Sequence, residues 1–209
     1  VGKEKNKCRE RKNNTPHKQQ QVEFAVCGSL FLLREIEITA AQRRHLQFDY
    51  ANRKVTWNLP TSKTDQRALG AFRTWTCLCT DASLQAVCPF HLLVRHCARL
   101  KVIATQLGAS LPDLPLFPTA TGLEVEKPES VATLIALTRK IGARTTSDSG
   151  GQLLGGHSMR TGGASCLASL GVHPLTLQSL GPWRSSLVAY YAGEALHANV
   201  AIDILRPSN

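Results

Sequence analysis

Apolar residues recur at the spacing of an α-helix in five stretches of the chain. In the first, residues 22–43, the predicted apolar face consists of Phe24, Val26, Leu30, Leu33 and Ile36. The same periodicity predicts helices over residues 89–107 and 128–141, from about 157 to Gly171, and from Pro174 to about Gly181. Proline suits the first position of a helix, and glycine readily takes the left-handed conformation that ends one.

Between residues 45 and 75 the apolar period changes to two, which indicates β-strands. Two strands are predicted over residues 45–50 and 53–59, joined at Ala51-Asn52, with a third near 68–75. Val55, Trp57 and Leu59 would share one face of the second strand. The pattern therefore predicts an α+β fold, mostly helical with a small antiparallel three-stranded sheet.

Length and charge narrow the class of protein. A chain of 209 residues with 43% hydrophobic content fits one globular domain. A formal net charge of +10 and a pI of about 9.6 favour a polyanionic partner, nucleic acid before membrane.

The longest apolar run, residues 24–33, is well short of the roughly 18 residues that span a bilayer. Seven cysteines, several in predicted buried helices, indicate a reduced intracellular setting.

The first twenty residues are basic and almost without apolar side chains. Such a segment cannot offset its ordering entropy by burial, so residues 1–20 are predicted to form a disordered basic arm or linker. The candidate DNA-binding residues of this arm are Lys3, Lys5, Lys7, Arg9, Arg11 and Lys12. A phosphate-contacting arm, a nuclear address and a solvated tail all fit this composition.

The densest candidate chemistry lies in residues 155–193. His157 and Arg160 are three residues apart, so a helix starting after Gly155-Gly156 would present both from its first turn. The unpaired N–H groups of a helix start, beside a cation and an imidazole, suit a phosphate.

The ordered motifs of this region resemble those of a known family. Gly-His-x-x-Arg-x-Gly-Gly-Ala is followed by Leu-Gly-Val, by Leu-Gly-Pro-Trp and, eight residues after the tryptophan, by a tyrosine. This set is similar to the C-terminal half of the tyrosine recombinase (phage integrase) catalytic domain, most of all to versions from eukaryotic mobile elements. Upstream, Leu-x-Arg-x-x-Glu at Arg34 and Glu37 resembles the family's first motif, with Leu33 where a glycine usually precedes the arginine.

The resemblance implies DNA cleavage and rejoining through a 3′-phosphotyrosyl intermediate, without metal or cofactor. Tyr191 would be the nucleophile, with neighbouring Tyr190 as the alternative. The implied supporting set is Arg34 and Arg160 on the non-bridging oxygens, Lys63 as the acid for the 5′-oxygen, His157 as donor or base, Trp183 as an indole donor, and Glu37 to orient Arg34. The implied partner is double-stranded DNA, bound by a homo-oligomer, with nuclear localisation if the source is eukaryotic.

Three thiols and one imidazole, Cys77, Cys79, Cys88 and His91, form a candidate zinc set. The Cys-x-Cys spacing is tighter than usual for zinc ligands, and Cys-Pro before a helix also serves as a cap in similar proteins. A structural zinc is therefore compatible with the sequence but not favoured, and no metal is assigned to the site.

The resemblance covers about residues 22–205, which assigns 21–209 to a catalytic domain without the helical core-binding domain of the family. Two alternatives to an active recombinase stay open: a domesticated DNA-binding remnant that has lost turnover, and an interaction module stabilised by zinc. Covalent capture of DNA distinguishes the first alternative, and metal analysis the second.

Overall fold

A computed structural model describes residues 15–59, 71–77 and 79–180. The helices of these ranges are α1 (Thr15–Leu30), α2 (Glu35–Thr39), α3 (Pro89–Leu107), α4 (Lys127–Lys140), α5 (Ser158–Ser169) and α6 (Pro174–Leu180), and the strands are β1 (Leu46–Asp49), β2 (Lys54–Leu59) and β3 (Ala71–Thr76). The strands form one antiparallel sheet in the order β1-β2-β3. The α+β fold class, mostly helical with a small three-stranded sheet, is confirmed.

The helix boundaries follow the sequence signals closely from α3 onward. Cys88 caps α3, Pro89 occupies its first turn, and Gly108 ends it in the left-handed region at φ 62°. Gly171, at φ 86°, has the same role after α5. These glycines and prolines fix the ends because few other residues tolerate the required backbone angles.

The N-terminal region departs from the prediction in two ways. The single helix predicted over 22–43 is two helices, because the chain turns between Leu30 and Glu35. The helix also starts earlier, at Thr15, so the predicted disorder is corrected for residues 15–20. Glutamine and lysine extend a helix well once it is anchored by buried residues such as Phe24 and Cys27. Residues 1–14 lie outside the described ranges.

The sheet buries one face against the helices. Val55, Trp57 and Leu59 on β2 are buried and alternate with more exposed residues, as predicted. The Phe31 ring meets the Trp57 ring edge to face at 5.1 Å between centroids, which joins the end of α1 to the sheet.

Helix α5 lies unusually close to α1. A Cβ atom added at Gly163 would lie 2.0 Å from the carbonyl oxygen of Ser29, so only glycine permits this approach. The contact places Arg160, one turn earlier on α5, against the turn that follows α1. Across the described ranges, no helix is long and apolar enough to cross a bilayer.

Candidate functional site

The turn between α1 and α2 forms the floor of the candidate site. Leu32 is fully buried and takes the left-handed conformation at φ 51°, which costs a leucine about 1–2 kcal/mol. Its side chain packs with Ala164, Leu167 and Leu177. Burial of the side chain therefore holds the backbone in a conformation that turns the Leu32 carbonyl toward two arginines.

Arg160 reaches this floor from the first turn of α5. Its Nε donates to the Leu32 carbonyl at 2.8 Å, and one terminal nitrogen donates to both carboxylate oxygens of Glu37, at 2.9 and 2.6 Å. The residue is only 1% exposed. This is a buried, charge-assisted pair that joins segments 123 residues apart in sequence.

Glu37 thus has a different partner from the predicted one. Its carboxylate pairs with the Arg160 guanidinium, and from Arg34 it accepts only the backbone N–H, at 2.8 Å. Arg34, half-buried and extended at the start of α2, has a buried Nε without a hydrogen-bond partner in the part of the chain that the structure describes. The prediction that Glu37 orients the Arg34 side chain is corrected accordingly.

A third arginine, Arg73 of β3, belongs to the same cluster and was not among the predicted residues. It is 3% exposed, and one terminal nitrogen donates to the carbonyls of Phe31 and Leu32, the latter at 3.0 Å. Its Nε and its other terminal nitrogen are buried without a partner among the described residues. The signal in the sequence is alternation: Arg73 faces inward, opposite Trp57, while Phe72 faces out and is 65% exposed.

The arginine cluster, meaning Arg34, Arg73 and Arg160 with Glu37, carries excess positive charge. Burial lowers the pKa of Arg73 to about 10, with Arg160 and Arg34 adding to the shift and Glu37 opposing it. Burial also lowers the pKa of Arg160. Guanidinium still stays protonated at neutral pH, so three cations face one carboxylate.

A second carboxylate, Glu35, also acts on the cluster, because it opposes the lowering of the Arg160 pKa. Glu35 is buried, but Lys127 lies 3.3 Å from it and offsets its charge. The backbone N–H of Glu35 also donates to the Gly156 carbonyl at 3.0 Å, which binds the segment before α5 to the start of α2. Buried cations without counter-charge are costly, so an anion with oxygens to accept several N–H bonds would stabilise the cluster.

The other predicted residues are placed as follows. His157 precedes α5 with an exposed side chain, so of the predicted helix-start pair His157 faces solvent and Arg160 is buried. Lys63, Trp183, Tyr190 and Tyr191 lie outside the described residues, as do the six basic residues of the N-terminal arm. Their roles stay predictions.

The structure also brings together the four candidate zinc ligands. The ligand atoms of Cys77, Cys79, Cys88 and His91 all lie within 4.8 Å of one another. This sulfur cluster sits beyond the end of β3 and at the start of α3.

No protein-family model and no curated protein sequence matches the chain. Solved structures do match, and two of them are complexes of one site-specific recombinase. One is the XerH site-specific recombinase bound to difH substrate in a pre-cleavage complex, with a TM-score of 0.58 and 12% identity over 84% of this chain. The other is XerH bound to palindromic difH substrate in a post-cleavage complex, with a TM-score of 0.57 and 15% identity over 88% of this chain. The aligned region spans 42% and 46% of those chains. At this identity the likeness concerns the fold: the chain has the fold of a tyrosine recombinase catalytic domain.

Proposed function

We propose that the chain binds double-stranded DNA and breaks and rejoins its strands through a phosphotyrosyl intermediate. The observation that carries the proposal is the arginine cluster, in which buried guanidinium N–H groups of Arg34 and Arg73 have no partner among the described residues. A phosphodiester supplies the negative oxygens that such groups bind. The recombinase fold and the formal net charge of +10 support the same conclusion.

In the proposed reaction, the Tyr191 phenolate attacks the scissile phosphorus and the bond from phosphorus to the 5′-oxygen breaks. The 3′-phosphate becomes linked to the tyrosine, and Lys63 gives a proton to the departing 5′-oxygen. Because the phosphotyrosyl bond conserves the energy of the phosphodiester, a 5′-hydroxyl can reverse the step and rejoin a strand. No metal or cofactor takes part.

The arginines stabilise the charge that develops on the non-bridging oxygens. Arg34 is half-buried and so is reachable from solvent. Arg160 is held by Glu37 and by the Leu32 carbonyl, which presets its orientation. Arg73 holds the carbonyls of residues 31 and 32 with one terminal nitrogen, and it adds to the cluster its charge and the N–H groups that have no partner among the described residues. His157 would donate to the phosphate or act as the base that takes the proton of the Tyr191 phenol, and Trp183 would contribute its indole N–H as a donor.

The finer assignments belong to the same proposal. The protein would act as a homo-oligomer on DNA, derive from a eukaryotic mobile element and work inside the nucleus. Residues 21–209 would form the catalytic domain, preceded by an arm whose basic residues contact the phosphate backbone.

The test is covalent capture of DNA. The full chain is incubated with a pool of random DNA duplexes that carry nicks. After cleavage beside a nick, the short fragment with the 5′-hydroxyl diffuses away, so the strand cannot be rejoined and the covalent intermediate is trapped. Adducts are then separated on a denaturing gel. We expect an adduct with the wild type and with Tyr190→Phe, and none with Tyr191→Phe, although all three bind DNA with similar salt sensitivity. Arg34→Ala should slow adduct formation by roughly 10²–10³-fold.

Two outcomes would count against the proposal. An adduct that persists in Tyr191→Phe and disappears in Tyr190→Phe reassigns the nucleophile. Tight, salt-dependent DNA binding without any adduct, alongside an active control recombinase, identifies the chain as a DNA-binding remnant without turnover.

A further inference from the structure

The end of β3 and the start of α3 bring three thiols and an imidazole to one point. Cys77 follows β3 directly, and its N–H donates to the Arg53 carbonyl at 2.9 Å, which ties it to the hairpin. Cys88 caps α3 and His91 lies in the first turn of that helix. The segment that follows β3 and the start of α3 therefore supply the members of the sulfur cluster.

The distances within the cluster match a tetrahedral metal site. With zinc–sulfur bonds of about 2.3 Å and zinc–nitrogen bonds of about 2.0–2.1 Å, a tetrahedral site separates sulfur from nitrogen by about 3.6 Å and sulfur from sulfur by about 3.8 Å. His91 Nδ1 lies 3.5 Å from Cys77 Sγ and 3.7 Å from Cys79 Sγ. All four ligand atoms lie within 4.8 Å of one another.

The tight Cys-x-Cys spacing, which counts against zinc in the sequence, is accommodated by the local backbone. The chain turns after β3 so that the Cys79 N–H donates to Cys77 Sγ at 3.4 Å. Both sulfurs lie close to the same nitrogen of His91, at 3.5 and 3.7 Å from Nδ1. An N–H donated to sulfur is also the type of contact that orients a thiolate ligand around a metal.

We infer that Cys77, Cys79, Cys88 and His91 bind one zinc ion. Three soft thiolates and one imidazole at the distances of a tetrahedral site are a donor set that suits Zn²⁺. Iron–sulfur clusters usually take four cysteines, so this set favours zinc over such a cluster. Four protein ligands complete the coordination and leave no position for a substrate, so the ion is structural. The inference does not depend on the proposed function.

The ion would pin β3 to α3 and close the loop between Cys79 and Cys88. That loop contains one short 3₁₀ turn, Ser83–Ala86, and Arg95 of α3 holds its end by donating to the Gln85 carbonyl at 3.0 Å. A metal anchor at this point also fixes the C-terminal end of the strand that carries Arg73.

The experiment measures zinc in the full chain, purified with reductant and exchanged into metal-free buffer. Mass spectrometry of the metal content should give about one zinc per chain in the wild type and in Cys166→Ser, whose thiol is exposed on α5 outside the cluster. Cys88→Ser and His91→Ala should fall at least tenfold below that content. Cobalt substitution of the wild type should produce the intense visible absorption of a tetrahedral, thiolate-bound ion.

A chelation measurement on the wild type covers the case in which these variants do not fold. A strong chelator should lower the Tm by about 10 °C, and an equimolar addition of zinc should restore it. Three results would overturn the inference: zinc far below one per chain even after zinc addition, equal zinc in Cys88→Ser and the wild type, or a Tm indifferent to the chelator.

Discussion

Two polar clusters, one at Arg73 within β3 and one just beyond the C-terminal end of that strand, differ in the ligand they require. The arginine cluster at Arg73 holds three cations against one carboxylate, and the sulfur cluster beyond Thr76 holds ligands for a cation. The arginine cluster is preassembled, because ion pairs and backbone carbonyls hold Arg160 and Arg73 in place. In the sulfur cluster the contacts between side chains are weak, at 3.5 and 3.7 Å. The protein itself therefore holds the arginine cluster in place, so an added anion should stabilise a site that is already formed, whereas the order of the sulfur cluster should depend on its proposed metal.

The strongest perturbation of the preassembled cluster is Glu37→Gln. The change leaves the buried Arg160 cation without its carboxylate, and loss of one partner of a buried pair costs about 3–5 kcal/mol. Urea unfolding should show this loss in the free energy of unfolding, while the exposed control Glu124→Gln stays within about 0.5 kcal/mol of the wild type. Equal stability of the two variants would mean that the Arg160–Glu37 pair is not formed in solution.

A smaller loss in the free energy of unfolding is expected from a substitution that displaces α5 without changing any charge. Gly163→Ala places a methyl group against the Ser29 carbonyl and should cost about 1–3 kcal/mol. The matched control is the neighbouring Gly162→Ala, whose methyl group meets nothing within 4 Å and should stabilise the helix by about 0.5–1 kcal/mol. Because the sulfur cluster lies on other elements, both variants should keep the zinc content of the wild type. A loss of zinc in Gly163→Ala alone would show that the two clusters are coupled.

Much of the fold follows from local signals. Helix α3 begins and ends where Pro89 and Gly108 indicate, and the alternation of β2 assigns its buried face. The break at Leu30 could not be predicted, because the apolar pattern continues through Leu33 and the left-handed residue is a leucine rather than a glycine. What holds that conformation is packing by α5, far along the chain.

The sequence predicted most of the residues that meet at the site, but it did not predict which side chains form ion pairs with each other. Arg34, Arg160 and Glu37 do meet at one turn, but the partner of the Glu37 carboxylate depends on a contact between residues 123 apart. Arg73 was not predicted as a site residue, because a basic residue on a strand is usually exposed to solvent. Its position on the inward face, shared with Trp75, was the available signal.

The smallest expected effect is the coupling between the clusters. Arg73 and Cys77 are four strand residues apart, about 13 Å, and perturbations beyond 7–10 Å usually add. Chelation should therefore lower the Tm at every phosphate concentration while changing the phosphate-induced stabilisation by less than about 0.5 kcal/mol. A larger change would show that the metal sets the position of Arg73.

The most direct test of the central claim is a thermal titration with inorganic phosphate at constant ionic strength. If the arginine cluster lacks an anion, the Tm of the wild type should rise with phosphate, by the equivalent of about 2.7 kcal/mol at one hundred times Kd. This rise in Tm should be retained in the exposed control Lys140→Met and be largely lost in Arg73→Leu. For each variant, the rise is measured from the Tm of that variant without phosphate. No rise in the wild type beyond that of chloride, or an undiminished rise in Arg73→Leu, would contradict the account.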